Sequence, residues 1–181
     1  MEGLFLSQLE GGATELDLGR KWLGDAGAAA LATALRSGAG AELTTLRLSA
    51  NDIGPQGALA LADALAAHGG ALTALDLTDN RIGATGAAAI ARALETNSVL
   101  AVVDLSKNRC GNAGAVAVGR AIRANGSLKT LRLEKNEIAA EGAAAILEAL
   151  QENRSLERLE LAGNCNEALS VAAWFAARQR R

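Results

Sequence analysis

The chain has 181 residues, a formal net charge of −2, one His, two Cys, one Pro and no Tyr; half of it is hydrophobic, yet aromatics make up only 2%. That length suits one soluble domain, residues 1–181, with a layered core of many small contacts in place of a few large rings. Acids and bases are interspersed without a basic stripe, which argues against nucleic acid as a partner, and no apolar run reaches the ~18 residues of a membrane span, which argues against membrane insertion.

Residues 1–12 carry Phe5, Leu6 and Leu9, the tail of a partial helix that covers whatever follows. This start lacks a positive region and a small-residue cleavage site, so it does not read as a secretory signal. Cys110 and Cys165 lie far apart in sequence, and a single possible pair makes no disulfide framework. Together these point to the cytoplasm or another reducing intracellular compartment.

From residue 13 to residue 164 the string L-x-x-L-x-L-x-x-N recurs: LTTLRLSAN from Leu43, LTALDLTDN from Leu72, LAVVDLSKN from Leu100, LKTLRLEKN from Leu128 and LERLELAGN from Leu156. An earlier copy, ATELDLGRK from Ala13, has Lys21 where the others have Asn. The alternating leucines predict a short strand in each copy. After each Asn a second pattern follows, as in IGPQGALALADAL from Ile53 and IGATGAAAIARAL from Ile82. Its spacing is helical, with Leu31, Leu61, Ile90, Val118, Ile146 and Trp174 in one core column. Gly38, Gly69 or Gly70, Asn97, Asn125 and Asn153 fall just past the helices, as stop signals able to take the left-handed conformation. Pro55 sits at a helix start, where its missing N–H costs least. One strand–turn–helix unit cannot bury its apolar face alone, so stacking must build the core. Residues 165–181 form the capping helix, because Asn166, Ser170 and Arg178 occupy columns that are apolar or Gly in the other units.

These units resemble the leucine-rich repeat family, in particular the ribonuclease-inhibitor-like class, whose repeats of about 28 residues each hold a full helix. The I-G-x-x-G-A half is similar to the repeat domains of NOD-like receptors and the Ran GTPase-activating protein. The resemblance implies an α/β leucine-rich repeat solenoid, a curved horseshoe segment with a parallel β-sheet on its concave face and α-helices on its convex face. Geometry agrees: strands stack about 4.8 Å apart and helices about 8 to 10 Å apart, so the helical side must fan outward.

Residues flanking the strand leucines face away from the core and line the concave side. The column between the leucines reads Asp17, Arg47, Asp76, Asp104, Arg132, Glu160. Arg47 with Asp76, and Arg132 with Glu160, are expected to pair across rungs. Asp76 beside Asp104, with Asp79 close by, is the one like-charge contact, and a cationic partner would relieve it. Lys107, Arg132 and Lys135 form a basic patch on the following rungs, leaving the face dipolar. A solvated surface partly compensated by Lys107 is the simpler reading of the same residues. Trp22 occupies a surface column with Asp52 and Arg81, which makes the rim around it a second candidate, unless it packs on the N-terminal cap. The repeated Asn51, Asn80, Asn108, Asn136 and Asn164 read as a structural ladder that satisfies backbone groups of adjacent turns.

For catalysis the sequence offers little. His68 stands alone in a loop, Cys110 shares a core column with Ile53 and Ile82, Cys165 lies in a surface column, and neither Cys/His metal spacing nor a phosphate-cradling loop is present. No cofactor and no metal are expected. The arrangement predicts a non-enzymatic protein-interaction module or scaffold that binds a protein partner through the concave face or its rim. The alternatives are a structural subunit of a larger multi-subunit assembly and a GTPase-activating protein of the Ran type. The last is disfavoured because no catalytic residues of that family match.

Overall fold

A computed structural model describes residues 2–67 and 70–178. His68 and Gly69, and the terminal Arg180 and Arg181, lie outside the described residues. In chain order the elements are α1 (Glu2–Glu10), β1 (Glu15–Asp17), α2 (Gly24–Arg36), β2 (Thr45–Arg47), α3 (Pro55–Ala67), β3 (Ala74–Asp76) and α4 (Gly83–Thr96). They continue with β4 (Val102–Asp104), α5 (Gly111–Ala124), β5 (Thr130–Arg132), α6 (Ala140–Glu152), β6 (Arg158–Glu160) and α7 (Asn166–Arg178).

The six strands form one parallel sheet in sequential order. The middle residues Leu16, Leu46, Leu75, Val103, Leu131 and Leu159 lie in register and point into the core. Each strand is only three residues long because the next apolar residue, such as Leu48 or Leu77, is also buried and starts the turn toward the helix. A helix then returns the chain, and its Leu, Ile and Ala face packs on the back of the sheet.

A core almost free of rings works because the helices are lined with Ala and Gly and approach closely. A Cβ added at Gly119 in α5 would sit 2.9 Å from the carbonyl oxygen of Ala145 in α6, so no larger residue fits there. At the N-terminal end α1 covers the first repeat with Phe5 and Leu9, both almost fully buried.

The C-terminal cap departs from the expected columns. Trp174 is 40% exposed, and Val171 and Phe175 are buried in its place. The physical reason is a shortened turn. Helix α6 begins four residues after Asn136, but α7 begins two residues after Asn164. The buried positions Ala143, Ile146 and Leu150 of α6 therefore recur as Ala168, Val171 and Phe175, a shorter step than the one that links the earlier helices.

The helix ends also differ from expectation. Gly38 has φ 91°, as a left-handed stop requires. Asn97, Asn125 and Asn153 are instead extended, with φ between −85° and −68°. Their side chains form a ladder of their own. Asn97 Nδ2 donates to the carbonyl of Leu65, Asn125 Nδ2 to that of Leu94, and Asn153 Nδ2 to that of Ile122, each at the end of the preceding helix. Each Oδ1 accepts two N–H groups of its own loop, as Asn125 does from Ser127 and Leu128. The amide thus caps the helix before it and shapes the loop after it. At the shifted end of the repeat, Arg178 takes the asparagine's place and donates to the carbonyls of Leu150 and Asn153.

Candidate functional site on the concave face and its rim

What positions the candidate residues is the asparagine ladder at the strand-to-helix turns. Asn80 is typical: its Oδ1 accepts the N–H groups of Asn51 and Ile53, each at 3.0 Å, and its Nδ2 donates to the carbonyls of Leu48 and Leu77, each at 2.9 Å. Asn164 repeats the pattern, and Asn136 does so with the carbonyl of Glu134 in place of the second leucine. Asn51, Asn108 and Asn136 are fully buried. Such buried amides, saturated by backbone, are structural.

Just before each ladder position the backbone turns through the left-handed region. Arg20, Ala50, Asp79, Lys107 and Lys135 have φ between 52° and 59°, and the corresponding residue of the last repeat is Gly163. The conformation lets the N–H at that position reach the next rung: Asp79 N–H donates to Ser106, Lys107 N–H to Glu134 and Lys135 N–H to Ala162. A second column, two residues on, also holds positive φ at Trp22, Asp52, Arg109 and Glu137. Non-glycine residues are strained here by roughly 1 kcal/mol or more each, and the ladder holds them in place.

The strand column is in the expected register, with Asp17, Arg47, Asp76, Asp104, Arg132 and Glu160 side by side. Its partners differ from the expected ones. Arg47 pairs with Glu15 at 3.1 Å and not with Asp76. Arg132 pairs with Glu160 at 2.9 Å, as expected, and also reaches Asp104 at 3.8 Å. The carboxylates have a second duty as well: Oδ1 of Asp17, Asp76 and Asp104 accepts the N–H two residues on, at Gly19, Thr78 and Ser106, at 2.8 to 2.9 Å. The like-charge contact of Asp76 with Asp104 is thus offset, because both are held by backbone donors and Asp104 also by Arg132. Asp79 does not lie on the strand with them; it stands exposed on the turn.

There Asp79 joins residues that the strand column does not contain. A depression of about 400 Å³ runs along the turns and is lined by Trp22, Asp79, Arg81, Lys107, Arg109 and Lys135, with Ala50, Asp52, Asn80 and Glu137 completing its walls. The structure therefore brings Asp79, Lys107 and Lys135 together with the Trp22 rim, and leaves Arg47, Asp76, Asp104 and Arg132 on the adjoining sheet face. Trp22 is 82% exposed, so it does not pack on the N-terminal cap. Arg81 is paired with Asp52 at 2.6 Å, whereas Lys107, Arg109 and Lys135 have no ion pair among the described residues. Arg109 and Ala50 are additions to the sequence reading; Arg109 stands in Trp22's own column, which is the signal for it.

Two further helix caps are invisible in the motif. Asp25 Oδ1 in α2 accepts the N–H groups of Gly54 and Gly57 at the start of α3, at 2.7 and 2.8 Å. Asn112 in α5 does the same for Ala139 and Gly142 at the start of α6. Both cysteines are free thiols. Cys110 is fully buried, and loss of solvation pushes its thiol up to about 12. Cys165 is half-buried against the core and not on the open surface, and its Sγ accepts the N–H of Ala168. The Glu167 carboxyl nearby is held below its ordinary range, chiefly by a backbone hydrogen bond and then by Cys165. Among the described residues no group of three His, Cys, Asp or Glu side chains is arranged to hold a metal ion, and no helix is long and apolar enough to cross a membrane.

Stacked strand–turn–helix units joined by an asparagine ladder define a repeat solenoid. The chain is a leucine-rich repeat protein: the family profile described as Leucine Rich repeat matches residues 43–62, 72–91 and 124–147. A search of curated proteins returned no match. Among solved structures, the actin-binding site 2 of leiomodin-1 has a similar fold, with a TM-score of 0.69 over 82% of this chain and 87% of that one, at 20% identity.

Proposed function

We propose that this protein is a non-enzymatic recognition module that binds a protein partner along the concave sheet face and its turn-side rim. The observation that carries the reading is a division of labour. Buried amides of both ladders fix the backbone, while Trp22, Lys107, Arg109 and Lys135 line an open groove, and the three cations have no ion pair among the described residues. A rigid scaffold presenting varied exposed side chains is what protein recognition needs, because little ordering is required on binding. The solenoid neighbour named for actin binding is in keeping with a protein ligand.

The finer assignments follow the same reading. The length of the repeat and the full helix within each one support the ribonuclease-inhibitor-like class. Two free cysteines suit a reducing compartment such as the cytoplasm. The test is site-directed photo-cross-linking in the native cell extract. Probes at Arg47 and Arg132 should capture a partner that exposed helix-side probes at Asp63 and Arg92 do not. Capture from the helix side alone overturns the reading.

One observation favours a second reading, a subunit filling space in a larger assembly. An apolar depression of about 480 Å³ lies between α6 and α7, lined by Ala140, Ala144, Leu147, Val171 and Trp174, with Leu169 exposed on the same cap helix. The helix-side probes distinguish it.

A further inference from the structure

The groove along the turns also specifies what kind of segment it takes. We infer that it binds an extended acidic segment of the partner, with one apolar side chain on Trp22 and carboxylates on Lys107, Arg109 and Lys135; this rests on the recognition role proposed above. Charge sets the sign. On the sheet face Arg47 and Arg132 are matched by Glu15, Asp104 and Glu160, and the aspartates there are held by backbone N–H groups. In the groove Arg81 is matched by Asp52. The groove cations left without an ion pair among the described residues are Lys107, Arg109 and Lys135, on two adjacent rungs. The partner they fit is therefore acidic, the opposite of the cationic one that Asp76 and Asp104 suggest when read as sequence.

Spacing sets the pattern. Rungs repeat at about 4.8 Å, so Lys107 and Arg109 lie three rungs, roughly 14 Å, from Trp22, and Lys135 lies four rungs, roughly 19 Å, from it. An extended chain advances about 3.4 Å per residue and shows alternate side chains to one side. An apolar residue on Trp22 then places its fourth neighbour on Lys107 and Arg109 and its sixth on Lys135, all three facing the groove. The implied pattern is apolar-x-x-x-acidic-x-acidic, in either chain direction. The second neighbour of the apolar residue faces the matched Asp52–Arg81 pair and is uncharged. Asp79 and Glu137 bracket the cations at either end, which sets a short acidic run apart from the uniform charge of a nucleic acid backbone.

The experiment titrates the ¹⁵N-labelled full chain with two seven-residue peptides, Leu-Ser-Ser-Ser-Asp-Ser-Asp and the same peptide with both Asp replaced by Lys, each blocked at its ends, and with an oligothymidylate. Expected are amide shifts from the acidic peptide at Trp22, Lys107, Arg109 and Lys135, weakening as salt screens the contact. The double variant Lys107→Glu with Lys135→Glu should bind at least about tenfold more weakly. A second pair, Lys107→Asn with Lys135→Asn, tolerates the left-handed backbone and guards against a folding defect. Equal or tighter binding of the basic peptide, tighter binding of the oligonucleotide, unchanged affinity in either folded variant, shifts confined to the helices, or no shifts at millimolar peptide each overturn the inference. A partner still captured by probes at Arg47 and Arg132 would leave the recognition role standing without it.

Discussion

Replacing Asn108 by Ala tests the turn ladder at its centre. The side chain is fully buried, and its Nδ2 donates to the carbonyls of Leu77, Leu105 and Ser106 at 2.9 to 3.1 Å. Those three oxygens are not orphaned by its loss. Leu77 keeps a donor in Asn80, Leu105 keeps one in Asn136, and Ser106 keeps the Asp79 N–H. The group left without a partner is the Ile82 N–H, whose acceptor is Asn108 Oδ1 at 3.4 Å. One stranded buried donor costs about 1 to 3 kcal/mol, and three weakened acceptors with a small cavity add roughly 1 more, so the expected loss is about 2 to 4 kcal/mol. Lys21 stands at the same place in the first repeat but is exposed, and Lys21→Ala should change stability by less than about 0.5 kcal/mol. Urea titration followed by circular dichroism measures both, and equal m-values make the midpoints comparable. Midpoints that shift alike would refute the ladder as the source of rigidity.

The remaining expectations concern the caps and the buried thiol. Asp25→Ala strips the acceptor from Gly54 and Gly57 N–H and should destabilise by about 1 to 2 kcal/mol, while Asp25→Asn, which keeps an oxygen there, should lose well under half of that in the same titration. Arg178→Ala should expose the carbonyl end of α6, read as faster hydrogen exchange on residues 150–156 with little change in the first three repeats. Cys110 should resist a thiol reagent in the native state at pH 8 while Cys165 reacts, and both should react in denaturant. Because burial raises the Cys110 thiol from 9.0 to about 12, the unfolded chain loses its proton first. This contribution to stability is fully present below pH 9 and is lost as pH rises from 9 toward 12. Cys110→Ala should flatten that part of the alkaline limb, and an unchanged pH slope would place the titration elsewhere.

The solenoid, the strand register and the turn asparagines are legible in the sequence, because an unbroken repeat step forces equivalent residues into equivalent surroundings. Legibility fails where equivalence does. The turn after Asn164 is two residues shorter than the one before it, which rotates Trp174 out of the core and brings Phe175 in. Choices among neighbours are equally hidden. Arg47 has carboxylates on both sides, and only side-chain geometry selects Glu15 over Asp76. Asn97, Asn125 and Asn153 stand where a left-handed stop is common, but each amide gains more by bonding the preceding helix and its own loop. The turn-side groove is half visible: its residues fall in two columns, but only the fold shows that Trp22, Asp79, Lys107 and Lys135 share one depression.

The two rows of amides share a direction. Asn80 accepts from the turn at Asn51, Asn136 from the turn at Asn108, and Asn125 donates to the end of α4, one repeat upstream. Through these two rows, the turn N–H groups and helix-end carbonyl of a unit find their partners in the unit that follows it in the chain. During synthesis a newly emerged repeat carries bare turn amides and bare helix-end carbonyls until the next has left the ribosome, so folding trails elongation by about one unit. Removing repeats from the two ends is correspondingly unequal. Loss of the first takes the Asp25 acceptor from the start of α3, whereas loss of the last uncovers turn N–H groups and a helix-end carbonyl in the repeat that becomes the new terminus.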